Sequence, residues 1–136
     1  MSSFIPSKFL RIALGADAVS SAILGIACAA GAAPLSSLLG LPEPLLRYAG
    51  LALLPWAAVV GFLVTRETLR PGFVWAVIVV NVLWAVDSFG LLFGNQVQPN
   101  VLGTAFVVVQ AVAVLALAEC QMIAMRRSRS LRVATA

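Results

Sequence analysis

Four long stretches of the chain are almost wholly apolar, and each is separated from the next by a short polar or proline-bearing segment. They cover residues 9–33, 45–64, 72–93 and 101–124. Each holds roughly the 20 residues that a helix needs to cross about 30 Å of hydrocarbon. The first connection, PLSSLLGLPEP at 34–44, carries Leu35, Leu38, Leu39 and Leu41, which predict a short turn lying at the interface. The second, TRETLRP at 65–71, is charged and ends in a proline suited to a helix start. The third, GNQVQPN at 94–100, is polar and uncharged. Connections this short make neighbouring helices antiparallel. The pattern predicts an all-α fold: a four-helix transmembrane bundle forming one membrane domain over 1–124, followed by a basic tail at 125–136.

Composition strengthens this reading. Of the 136 residues 62% are hydrophobic and 10% charged, against about 25% charged in an ordinary soluble domain. Mean hydropathy is +1.05. So short a chain cannot hide that much apolar surface in one soluble core, which excludes a cytosolic enzyme, a disordered protein and a secreted disulfide scaffold. The chain has no histidine, which removes bis-histidine haem, most catalytic zinc sites and histidine-dependent triads. The predicted spans place Cys28 and Cys120 at opposite faces, more than ~20 Å apart at the helical rise, too far to pair.

The formal net charge is +4. In a soluble protein that would suggest nucleic acid, but here the basic residues flank apolar segments, so no nucleic-acid partner is expected. An even number of spans puts both termini on one side. That side holds Lys8, Arg11, Arg66, Arg70, Arg126, Arg127, Arg129 and Arg132, and the other holds only Arg47. Eight basic residues against one predict cytoplasmic termini. The tail RRSRSLR would then be an anchor within reach of anionic headgroups. The first apolar run is expected to be retained rather than cleaved, because Asp17 interrupts it and the run is long.

Ionisable and amide groups inside lipid are costly, about 2.5–3.5 kcal/mol for a charge at the centre on the most lenient scale. At ~1.5 Å per residue, Asp17 falls ~12 Å from the edge of its span, Asn81 ~14 Å from the same edge, and Gln110 also near the middle. Three helices thus place Asp17, Asn81 and Gln110 in one polar layer, and the remaining helix places Pro55 and Trp56 there. Pro55 frees a backbone carbonyl as a further acceptor. Asp17, Ser21, Gly25 and Ala29 recur every four residues on one face, a small-residue stripe that lets another helix approach closely. The layer reads either as a hydrogen-bonded pin through the bundle or as a proton or cation site. Nearer the ends, Arg47 with Asp87 and Arg11 with Glu119 are candidate ion pairs, the alternative being side chains that snorkel to the headgroups. Trp56, Trp75 and Trp84 read as core or interfacial-belt residues rather than a cation box.

No catalytic residue is identifiable: the chain has no phosphate loop, no CxxC and no metal-ligand spacing, and GADAV and AVDSF around the acids do not match intramembrane aspartyl proteases. No enzyme activity, cofactor or metal is expected.

The segments ADAVSSAILG, LLGLPEPLLRYAGLALLP, WAVIVVNVLWAVDS and PNVLGTAFVVVQAVAVLALAE are similar to those of small four-span bacterial membrane proteins, over most of residues 14–119. That resemblance implies the topology and a bacterial inner membrane. In size and span number the chain also resembles small multidrug resistance transporters and DoxX-like proteins. It departs from the former by carrying Asp17 in place of a first-span glutamate and by lacking the glycine-rich motif in the third span. Two functions are expected: a structural or accessory subunit of a larger membrane complex, or a small proton-coupled transporter or channel acting as a homo-oligomer.

Overall fold

The computed structural model describes the backbone of residues 3–135 and the side chains of residues 3–128, so the expected roles of Arg129 and Arg132 lie outside the described residues. Five helices follow in order: α1 Lys8–Ala30, α2 Ala32–Leu39, α3 Glu43–Val64, α4 Pro71–Phe93 and α5 Val101–Thr135. Helices α1, α3 and α4 and the Val101–Ser128 part of α5 are long and apolar enough to span a membrane. No β-strand occurs among the described residues beyond one isolated bridge, Phe4 with Leu69.

Local chemistry sets the helix ends. Ser7 caps α1, its hydroxyl accepting from the Leu10 N–H at 3.1 Å. The expected first span, 9–33, stops early at Gly31, whose N–H closes the last turn on the Ala27 carbonyl. The chain then forms α2 where a turn was expected. Pro34 stands in the first turn of α2, where no intrahelical N–H is needed. Gly40 ends α2 with φ of 70°, a left-handed conformation that suits glycine. Pro71 starts α4. Asn100 caps α5 by accepting from the Gly103 N–H at 2.8 Å. The same residue donates from its amide to the Leu38 carbonyl and from its backbone N–H to the Leu39 carbonyl. The first and third connections are therefore sewn together at the end of the bundle away from the termini, called here the loop end.

Packing is pairwise. Helix α1 lies along α3, and α4 lies along α5; α1 also touches α5, whereas α3 and α4 do not pack along each other. Glycines permit α1 and α3 to cross closely. A Cβ on Gly50 would stand 2.7 Å from the Gly25 carbonyl oxygen, and one on Gly25 would meet Gly50 and Leu53 at 3.1 Å. Burying leucine away from lipid gains no hydrophobic transfer energy, so close backbone approach and hydrogen bonds must hold such helices together. At the terminal end a continuous core joins all four long helices, with Leu10 and Leu14, Val60 and Leu63, Val74, Val77 and Ile78, and Ala118, Ala124 and Met125. A smaller core at the loop end gathers Cys28, Ala32, Leu39, Leu41, Leu46 and Val107.

Candidate functional site

The small-residue stripe of α1 turns Asp17 and Ser21 into the bundle. Asp17 is 2% exposed and Asn81 on α4 is 3% exposed. The Asn81 amide donates to Asp17 Oδ2 at 2.7 Å. A second amide donates to the same oxygen at 3.0 Å, and it belongs to Gln121 on α5, which is fully buried. Ser21 donates to Asp17 Oδ1 at 3.4 Å, and the Asn81 amide also reaches Gln121 Oε1 at 3.3 Å. One carboxyl group thus links three helices. Every buried side-chain nitrogen and oxygen among the described residues has a hydrogen-bond partner. In hydrocarbon that satisfaction is needed, because water is not there to supply a missing bond.

Gln110, expected in this layer, stands elsewhere. Its Oε1 accepts from the Trp84 indole at 2.9 Å, and its amide donates to the Ser88 hydroxyl at 2.9 Å and to the Val107 carbonyl at 3.0 Å. The reason is geometric. Asn81 lies nine residues from the terminal end of its span, but Gln110 lies nine residues from the loop end. In a 23-residue helix those positions differ by four residues, ~6 Å or about one turn. Gln121 replaces it because α5 keeps its membrane-spanning character to Ser128 rather than stopping at 124. A sequence signal for Gln121 exists: it falls on the buried stripe of Val107, Ala111, Ala118 and Met125.

The expected ion pairs are also replaced. Arg47 bridges to Glu43 one turn back at 2.9 Å, not to Asp87. That is the shorter reach, along one helix, in place of a crossing between α3 and α4. Arg11 does not meet Glu119. Its guanidinium donates to the carbonyls of Val64 at 2.7 Å and Glu67 at 3.3 Å, groups left open by the end of α3. Asp87 and Glu119 are exposed. Beside Arg11 the bridge from Phe4 to Leu69, with both backbone bonds at 2.8 Å, closes the terminal end. Arg66 lies over Phe62 at 5.3 Å and Arg127 over Phe9 at 6.0 Å.

No protein-family model, curated protein or solved structure matches this chain. The site is therefore described by its own geometry.

Where α3 and α4 do not pack along each other, the loop half of the bundle contains a cleft of about 820 Å³. Its walls include Leu45, Leu46 and Leu53 of α3, Leu91 of α4, Phe106 of α5, and Asn95 and Gln96 of the third connection. Asp87, Ser88 and Gln110 supply polar groups to it. A second, partly open cavity of about 250 Å³ adjoins it, lined by the buried Ser21 and Asn81 and by the exposed Ser20 and Val80 among others. Leu24, Leu53, Trp84 and Gln110 line both spaces. The Trp84–Gln110 hydrogen bond thus lies between the cleft and a cavity whose wall includes two partners of Asp17, Ser21 and Asn81. Among the described residues no group of three or more His, Cys, Asp or Glu is placed to hold a metal.

Proposed function

We propose that this multi-pass membrane protein is a small transporter, with both termini on the cytoplasmic side of a bacterial inner membrane. The observation that carries the reading is the cleft between the hairpins. Its volume lies within the ~300–1,000 Å³ of small-molecule sites, which are mostly apolar with a few convergent polar groups. Leucine and phenylalanine walls suit an apolar body. The exposed Asp87 carboxylate, with Ser88 and Gln110, suits a polar end that donates hydrogen bonds. Passage between the cleft and the second cavity would run past the Trp84–Gln110 bond, whose two side chains line both spaces. The basic bias at the terminal end supports the orientation.

A second reading has its own support. The Asp17 cluster is internally satisfied and ties α1, α4 and α5, as expected of a rigid accessory subunit that offers its apolar outer faces to a larger partner. Purification from native membranes in mild detergent, followed by the mass of the intact particle, separates the two. The transporter reading expects a particle made of this chain alone, carrying a bound small molecule that Ala49→Trp, which fills the cleft, expels. A larger protein retained in fixed ratio, with no small molecule, would establish the accessory role instead.

A further inference from the structure

The Asp17 carboxylate lies in the membrane-spanning part of α1 at 2% exposure. Its side-chain partners are two amides and a hydroxyl, with no cationic group among them. The one ion pair among the described residues, Arg47 with Glu43, is far along the chain and half exposed. A charge in this environment is expensive unless it is paired. Hydrogen bonds orient a carboxylate but leave its net charge in place.

Oxygen atoms are abundant around it. Asp17 supplies two, Ser21 one, and Asn81 and Gln121 one each. Asparagine and glutamine present an oxygen and a nitrogen of nearly equal size on the two arms of the same amide. A half-turn of the amides of Asn81 and Gln121 would bring their oxygens to where nitrogens now face Asp17 at 2.7 and 3.0 Å. The ring of donors around an anion then becomes a ring of oxygens around a common centre. Access is present as well, since Ser21 and Asn81 form part of the wall of the 250 Å³ chamber. Hard cations without strong demands on geometry take such mixed carboxylate, amide and hydroxyl oxygen sets, and one positive charge cancels the charge of one carboxylate.

We propose that Asp17, Ser21, Asn81 and Gln121 form a binding site for a single alkali cation, entered from the 250 Å³ cavity that Ser21 and Asn81 help to line, with the amides of Asn81 and Gln121 turning to accept it. The site does not depend on solute transport; an accessory subunit could carry it equally.

The test is the thermal unfolding of the purified full-length chain in detergent at one pH and one ionic strength. Sodium chloride and potassium chloride are compared with choline chloride. Binding to the folded state alone raises Tm with ligand concentration, so one of the alkali salts should raise it saturably by several degrees. Gln121→Leu, which removes an oxygen without touching the acid, should abolish the rise, as should Asp17→Asn if that variant folds. Glu43→Gln, at the distant surface pair, should keep it. Equal Tm in all three salts would overturn the proposal. If Tm then moved with pH alone, the cluster would be a proton site, and if it moved with neither, a structural pin. A rise that survives Gln121→Leu would also overturn it, by placing the cation elsewhere.

Discussion

The two halves of the bundle use the same residue types to opposite ends. In the terminal half, side chains from all four long helices share one core, and three polar side chains from different helices close on one carboxyl. In the loop half, α1 and α3 approach closely over Gly25 and Gly50, and α4 and α5 are joined by Gln110, Trp84 and Ser88. There the two pairs are joined by a smaller core, in which Val107 of α5 meets Cys28 of α1, Leu46 of α3 and the residues of α2, and by the third connection, sewn to α2 at Asn100. The difference teaches where cohesion comes from when the solvent is lipid. A leucine gains no transfer energy by leaving lipid, so helices close where glycine allows contact or where polar groups bond across them. Between α3 and α4 in the loop half neither device occurs, and a cleft is left.

The largest expected effect comes from blocking the glycine crossing. Gly50→Val would put its Cβ 2.7 Å from the Gly25 carbonyl oxygen. Separation of α1 from α3 should cost ~3 kcal/mol or more, seen as loss of folded protein in a detergent-stability assay. Next comes the polar pin. Asp17→Ala leaves two buried amides with a missing acceptor and should cost ~1–3 kcal/mol, read as a lower Tm. Asp17→Asn, which keeps an acceptor oxygen, should cost less. Gln110→Leu breaks a link within one helix pair and should cost ~0.6–1.7 kcal/mol, the range of hydrogen bonds measured between membrane helices. The same variant should shift the emission of Trp84 to the blue in a chain whose other tryptophans are replaced, because the indole exchanges a polar hydrogen-bond acceptor for an apolar side chain. Smallest is Arg47→Ala. Its pair with Glu43 is about half exposed, so the change should cost under ~0.5 kcal/mol, and Asp87→Asn should not alter that value.

These expectations bear on how much was legible beforehand. Span number and helical class follow from length and hydropathy, and the boundaries differ by a few residues where a cap decides them, as at Gly31. Asp17 and Asn81 can be read as one layer because they lie eight and nine residues from the same end of their spans. Gln110 is not placed by that count, which for it runs from the opposite end, and Gln121 lies only three residues inside the expected end of the fourth span at 124. Arg47 and Arg11 found nearer partners than those expected, Glu43 one turn away and the open carbonyls at the end of α3. The cleft had no signature in the chain, because it arises from helices that fail to touch, and apolar periodicity does not record which faces meet.

The contrast between a closed half and an open one is tested most directly by water access. In a chain with Cys28 and Cys120 replaced by alanine, single cysteines would be placed by Ala49→Cys on the wall of the cleft, Val77→Cys in the terminal core and Val59→Cys on an exposed face of α3 within its span. In native membranes each would be treated with a charged, membrane-impermeant thiosulfonate, which reacts only with a thiol that water can reach and ionise. Reaction at position 49, with positions 59 and 77 left unmodified, is the expected result. A cysteine at position 49 as inert as the other two would show that the loop half is closed, and the cleft, with the function proposed for it, would not stand.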